Sequence, residues 1–272
     1  MKWTQEAEKA IKKVPFFVRK KVRHRVENEA RDKGKNRITP DDVKATKAAY
    51  LSRMSSEVKG YQMDACFGAE GCPNRANNSD RMMGKIEKIF RNEDLLSFLK
   101  ERVSGELKPH HEFRVTVADC PNACSQPQIK DIGIIGACIP EITGKECSLC
   151  NLCVDICREK AISIDDDLHQ PAIDYTLCLK CGQCIDVCAT GTIEKGQTGF
   201  RVHLGGKLGR HPRLARELPG IYAEDQVIEI VKVCIKFYKE NSKHGERFSE
   251  IFKAADFESL LSCLPPISVT FQ

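Results

Sequence analysis

Fifteen cysteines in 272 residues are the feature most able to do chemistry. Eight of them fall into two copies of one spacing, Cys-x2-Cys-x2-Cys-x3-Cys. CSLCNLCVDIC carries Cys147, Cys150, Cys153 and Cys157, and CLKCGQCIDVC carries Cys178, Cys181, Cys184 and Cys188. All four cysteines recur at an offset of 31 residues. Soft thiolates at this spacing converge from a tight loop on a metal centre. A zinc site needs four ligands and a cubane iron–sulfur cluster needs four corners. Eight cysteines would make two of either, and the evenly spaced quartet favours the cubane.

Four more cysteines pair differently. Cys66 and Cys72, in DACFGAEGC, are separated by five residues, and Cys120 and Cys124, in DCPNAC, by three. Together they supply four thiolates from two loops, the number one cubane needs. The Gly, Pro and Asn of these loops suit close backbone approach and N–H···S bonds. Cys138 reads as a buried thiol, and Cys234 and Cys263 read as core.

The doubled run resembles the bacterial two-cluster ferredoxins, in which the fourth cysteine of each run serves the other cluster. The resemblance implies one [4Fe–4S] cluster on Cys147, Cys150, Cys153 and Cys188, and another on Cys178, Cys181, Cys184 and Cys157. The proline usual after the fourth cysteine is Arg158 in one copy and Ala189 in the other. The order of Cys-x5-Cys, DCPNACSQPQIKDIGIIG, the ferredoxin run and GFRVHLGGKLGRHPRLA resembles the sirohaem sulfite and nitrite reductases, in their dissimilatory and anaerobic form. That resemblance covers residues 61 to about 260. It implies a third [4Fe–4S] cluster on Cys66, Cys72, Cys120 and Cys124, with Cys124 also bridging to the iron of a sirohaem.

Arg201, His203, Lys207, Arg210, His211 and Arg213 cluster beside Gly205 and Gly206. Given the resemblance, Arg201, Lys207, Arg210 and Arg213 are candidates to hold sirohaem carboxylates or the anion sulfite or nitrite. An ordinary solvated loop is the alternative. Arg75 and Arg81 are similar candidates, and His110 and His111 read as a loop before a strand. No catalytic residue is assigned. The family's enzymes carry a ferredoxin-like half-domain before the cluster motif, whose basic residues bind the anion. Here that space holds a helical module, so the chain reads as a half-size version completed by a partner subunit or a second copy. The stretch from Trp3 to Val43 resembles a small domain at the end of a subunit of light-independent protochlorophyllide reductase. It reads as a docking or structural module, with direct tetrapyrrole contact as the alternative.

The elements that must position these residues are an α+β set. Residues 1–58 are expected to be helical and free of cysteine. Val18, Val22, Val26 and Ala30 share a face with Phe17, and Thr39, Pro40, Asp41 and Asp42 open a second helix. Residues 61–140 and 198–272 form the sulfite/nitrite reductase-like domain, and residues 141–197 a two-cluster ferredoxin insertion. Within 61–140 one strand is expected, in HEFRVTVADC, after a helical stretch that breaks near Asn92. Beyond 198 come a strand, the basic loop, an amphipathic helix with Val227, Ile230, Val231, Cys234 and Phe237 on one stripe, and a last helix from about Glu246 to Leu261.

Composition removes other classes. The formal net charge is +5. Each oxidised four-iron cluster on four thiolates carries about −2, so three would bring the chain to about −1. With aromatics at 7% and no basic stripe, nucleic-acid binding is not expected. No apolar run reaches the roughly 20 residues of a membrane span. The charged N-terminus lacks a signal-peptide core, so a cytoplasmic location is expected. The expected function is passage of electrons from two ferredoxin-type clusters to a third cluster coupled to sirohaem. An electron-transfer subunit without sirohaem or its own substrate is the alternative. Expected partners are an electron donor, such as a ferredoxin or a reductase subunit, within a homo-oligomer or a larger redox complex.

Overall fold

The computed structural model of the chain describes residues 1–263. They fall into two compact units, residues 1–58 with 103–110, and residues 59–102 with 111 onward.

The first unit runs β1 (Lys2–Trp3), α1 (Gln5–Lys12), α2 (Phe16–Asp32), β2 (Arg37–Ile38) and α3 (Pro40–Ser56). The Thr4 hydroxyl caps α1 by accepting from the Ala7 N–H at 3.1 Å. Thr39 caps α3, and its N–H and hydroxyl both donate to Asp42. Ala7, Val26, Ala30 and Ile38 form the core, with Trp3, Val22 and Val43 packed around it. The expected stripe on α2 is therefore only half used. Phe16 and Phe17 are exposed, because the partners of this core meet only the second half of the helix.

The second unit runs β3 (Tyr61–Ala65), α4 (Asp80–Asn92), α5 (Leu95–Arg102), β4 (Phe113–Ala118), β5 (Ile132–Ile142), α6 (Leu152–Ile156), β6 (Ile162–Asp165), β7 (Gln170–Ile173), α7 (Gln183–Asp186), β8 (Ile193–Leu204), β9 (Arg216–Glu217), α8 (Glu224–Asn241), α9 (Phe248–Ile251) and α10 (Ala254–Cys263). Its main sheet has the order β3-β4-β5-β8-β9. β3, β4 and β5 are parallel, and β8 returns antiparallel to β5. The Phe113 ring packs between Phe90 of α4, Tyr238 of α8 and Phe248 of α9, at 5.2–5.7 Å between centroids.

β5 and β3 are among the strands that were not legible in the sequence. β5 is buried from Ile132 to Pro140, so it shows no polar alternation. β3 is a half-exposed edge strand with only one large aromatic. The last helix is two, because Phe252 is extended and the Asp256 carboxylate accepts from the Lys253 N–H to start α10. The segment 141–197 falls within the second unit. β5 leads into it, and the strand expected beyond 198 already begins at Ile193 as β8.

Candidate metal centres

The doubled cysteine run folds as two copies of one turn. Leu149 and Lys180 are left-handed, as are Asn151 and Gly182, and Lys160 and Gly191. Each pair is 31 residues apart, so the repeat is a repeat of backbone conformation. Such turns aim successive N–H groups at one point, which favours an anion or thiolate there. The Leu149 N–H donates to Cys147 Sγ and the Lys180 N–H to Cys178 Sγ, both at 3.4 Å. The Ala161 N–H donates to Cys157 Sγ and the Ile193 N–H to Cys188 Sγ, both at 3.3 Å. Asn151, Gly182 and Gly191 were the sequence signal for these turns, since Asn and Gly tolerate the left-handed region.

The fold brings Cys153 beside Cys147 and Cys150, and Cys150 beside Cys188. It brings Cys184 beside Cys181, Cys178 and Cys157. Burial pushes the Cys184 thiol up to about 12, and its three thiol neighbours add to that. Cys178 is raised by burial as well. The Cys150 thiol is instead lowered, first by the Leu152 N–H and then by the Ser148 hydroxyl. Crowded buried thiols ionise together only when a soft cation supplies the opposite charge. Among the described residues, no three Cys, His, Asp or Glu side chains converge tightly enough for a single metal ion. The thiols of each group are nonetheless near enough to interact as charges.

The remaining two pairs meet at the ends of β3 and β4. Cys66 follows β3, and its N–H donates to the Val117 carbonyl of β4 at 3.0 Å. Cys120 thereby lies beside Cys72, Cys66 and Cys124. Burial pushes the Cys120 thiol up, and the three other thiols raise it further. Asp119 locks the two loops together. Its N–H donates to Cys66 Sγ at 3.2 Å. Its carboxylate accepts from Arg75 Nε and from the Ser79 hydroxyl, each at 2.6 Å. Its carbonyl accepts from the N–H groups of Ala76 and Asn77. Gly68 and Gly136 lie so close that a Cβ would come within 2.3 Å and 2.4 Å of Asp119 oxygens. Sequence reasoning missed Asp119 and placed Arg75 among the anion-binding candidates. Cys120 is buried and Cys124 is the exposed member of the four.

A cavity of about 220 Å³ joins two of these groups. Cys157, Cys178, Cys181 and Cys184 line it together with Cys120 and Asn122.

The basic residues divide. Arg201 makes a two-pronged ion pair with Glu217, both contacts at 2.6 Å. Burial alone would raise the Glu217 carboxyl, but Arg201 and His203 outweigh it and hold it at about 2. The Arg213 guanidinium donates to the carbonyls of Gly205, Ser249 and Phe252. Both arginines are thus engaged in holding the fold. Arg210 is exposed, Lys207 is partly so, and neither forms an ion pair among the described residues. Gly206 packs on the Gln128 and Lys130 backbone, where a Cβ would sit 2.4 Å from the Gln128 carbonyl oxygen. The loop therefore rests on the connection that follows Cys124. Arg81 is largely exposed and lies 3.9 Å from Glu224. Cys138 and Cys234 are buried, and the side chain of Cys263 lies outside the described residues.

A sheet whose parallel strands lead into cysteines, continued into a doubled cysteine turn, makes a cysteine-rich protein of α+β fold. Residues 61–268 match the nitrite and sulphite reductase 4Fe-4S domain, and the chain belongs to that family. Residues 3–47 match the proto-chlorophyllide reductase 57 kD subunit family. The coenzyme F420-dependent sulfite reductase of Methanocaldococcus jannaschii is 29% identical over 199 residues, 72% of this chain and 29% of that protein. A subunit of the anaerobic sulfite reductase of Salmonella typhimurium is 25% identical over 201 residues, 73% of this chain and 53% of that one. A subunit of the light-independent protochlorophyllide reductase of Chlorobium limicola is 55% identical over 47 residues, 17% of this chain and 9% of that one. The chain thus spans about half or less of the length of these relatives. The crystal structure of dissimilatory sulfite reductase I shares the fold, with a TM-score of 0.52 and 17% identity, over 80% of this chain and 57% of that one. No helix among the described residues is long and apolar enough to cross a membrane.

Proposed function

We propose that this chain is the cluster-bearing part of a sirohaem sulfite or nitrite reductase. Two ferredoxin-type [4Fe–4S] clusters would be held by Cys147, Cys150, Cys153 and Cys188, and by Cys178, Cys181, Cys184 and Cys157. A third would be held by Cys66, Cys72, Cys120 and Cys124. The observation that carries the reading is the gathering of Cys66, Cys72 and Cys124 about Cys120, with Asp119 bonded to Cys66 and Cys124 the most exposed of the four. An outward thiol is the one that can be shared with a sirohaem iron. When bound, sirohaem would supply the electron-rich iron at which sulfite or nitrite is reduced. The chain's own part is to hold the clusters, exclude water from Cys120 and offer N–H donors that favour thiolate charge. Lys207 and Arg210 are the basic residues left to meet carboxylates or the anion. The electron donor would be a ferredoxin or a reductase subunit, the assembly a homo-oligomer or a larger redox complex, and the compartment the reducing cytoplasm.

The test is the visible spectrum of anaerobically purified, cluster-replete protein, followed by acid extraction of its pigment. The reading expects sirohaem in the extract, and a cluster-replete sample without it contradicts the sirohaem part. A second reading is an electron-transfer subunit with three clusters and no sirohaem. It is favoured by Arg201 and Arg213, whose engagement leaves few basic residues for a tetrapyrrole. Sulfite or nitrite turnover by the sirohaem-loaded chain would contradict it.

A further inference from the structure

The two ferredoxin-type sites are twins in sequence but differ in what surrounds them. Gly182, Gln183 and Ile185 follow Cys181, and their counterparts one repeat earlier are Asn151, Leu152 and Val154. Gly182 is buried against Cys138, where a Cβ would lie 3.3 Å from the Cys138 Cβ and 3.5 Å from its Sγ. Asn151 is exposed. Gln183 donates from Nε2 to Asn74 Oδ1 at 2.7 Å, in the loop just after Cys72. Leu152 is exposed. Ile185 and Val154 both pack within the doubled-cysteine module, and Ile185 also packs on the buried group Ala76, Cys120 and Cys138.

Cys138 is the centre of this contact. It is 4% exposed and packs with Cys120. Its N–H donates to the Lys180 carbonyl at 2.8 Å, and it forms a parallel bridge with Cys181. The β5–β8 register shifts just beyond it, between Cys138 and Pro140, a break that frees the strand for a further partner. The cavity is lined by Cys120, Cys181, Gly182 and Gln183 together.

We propose that Cys138, Gly182 and Gln183 form the joint between the Cys157/Cys178/Cys181/Cys184 site and the Cys66/Cys72/Cys120/Cys124 site. This fixes the order of electron passage: the Cys147/Cys150/Cys153/Cys188 site is outermost and receives electrons first. The inference rests on the reading of all three groups as cluster sites. Each step moves one electron, from a low-potential one-electron donor that is oxidised. No bond forms or breaks, and no proton moves. Tunnelling falls steeply with distance, so the packed joint is the faster route, and a Cβ at Gly182 would crowd Cys138 at 3.3 Å.

The test is low-temperature EPR of the dithionite-reduced holoprotein, with iron counted on each sample. Cys150→Ala removes the outer site and Cys181→Ala the inner one. The third site should keep its spin–spin broadening in Cys150→Ala and lose it in Cys181→Ala. The reverse pattern overturns the order while leaving three clusters in place. About eight irons in the unmodified protein would overturn the three-site reading itself, and this order with it. Should either cysteine variant fail to fold, the double variant Cys138→Ala, Gln183→Leu decides. It should keep full iron and show a several-fold loss in the rate of third-site reduction in freeze-quench EPR. Full iron with an unchanged rate overturns the joint.

Discussion

Asp119 carries more of the third site than its place beside a cysteine suggests. It is almost fully buried, and its carboxylate is shared by Arg75 and Ser79 while its backbone holds Cys66 and the Ala76–Asn77 turn. Asp119→Ala leaves the mostly buried Arg75 guanidinium with only its contacts to Asn78 and Asp80. Removing one partner of a buried pair costs several kcal/mol, and Arg75's partial exposure reduces this to about 2–3 kcal/mol. Anaerobic urea denaturation should show that loss, and iron analysis should show about four irons fewer per chain. Cys120→Ser should cost the same four irons, whereas unchanged iron would make the four cysteines structural. The doubled cysteine run was legible because its spacing is local. Asp119 was not, because its ion pair spans 44 residues. The partners of Arg201 and Arg213 were hidden for the same reason, since Glu217 and the Ser249 carbonyl lie apart from them in sequence.

Helices were legible from their apolar stripes and the Thr39 cap; of the strands around the third site, β4 was legible and β3 and β5 were not. Gly136 in β5 lets the Asp119 carbonyl approach the strand, so Gly136→Ala must displace the loop that carries Cys120. A cost of about 1–3 kcal/mol is expected from the overpacking, with loss of iron from this site ahead of the others. Denaturation and iron analysis of one preparation check both. In the first unit, the start of α3 makes a pH-dependent element. Lys35 and the Thr39 N–H hold the Asp42 carboxyl at about 2, below its ordinary 3.8. A depressed carboxyl stabilises the fold above the unfolded value, so the contribution is full above pH 3.8 and is lost as pH falls towards about 2. With solvent screening of Lys35, it is worth about 1–2 kcal/mol. Asp42→Asn should therefore lower the melting temperature of the first unit at pH 6 and leave it nearly unchanged at pH 2. Calorimetry at the two pH values measures this, and an equal loss at both would assign the effect to packing.

At the scale of the whole chain, the division between a cysteine-free N-terminal module and a cysteine-rich remainder was visible in composition. The assignment of residues 103–110 to the first unit was not, because nothing in that loop's sequence marks its partner. The two units should respond differently to iron. Metal binding couples to folding of the unit that holds the ligands. Anaerobic chelation should lower the calorimetric transition of the second unit and leave that of the first in place. The central claim is three four-iron clusters with the third coupled to sirohaem, and one anaerobic preparation tests it. Iron, acid-labile sulfide and extractable pigment are counted per chain. The account predicts about twelve sulfides, about thirteen irons and one sirohaem. About eight irons, eight sulfides and no pigment would contradict it.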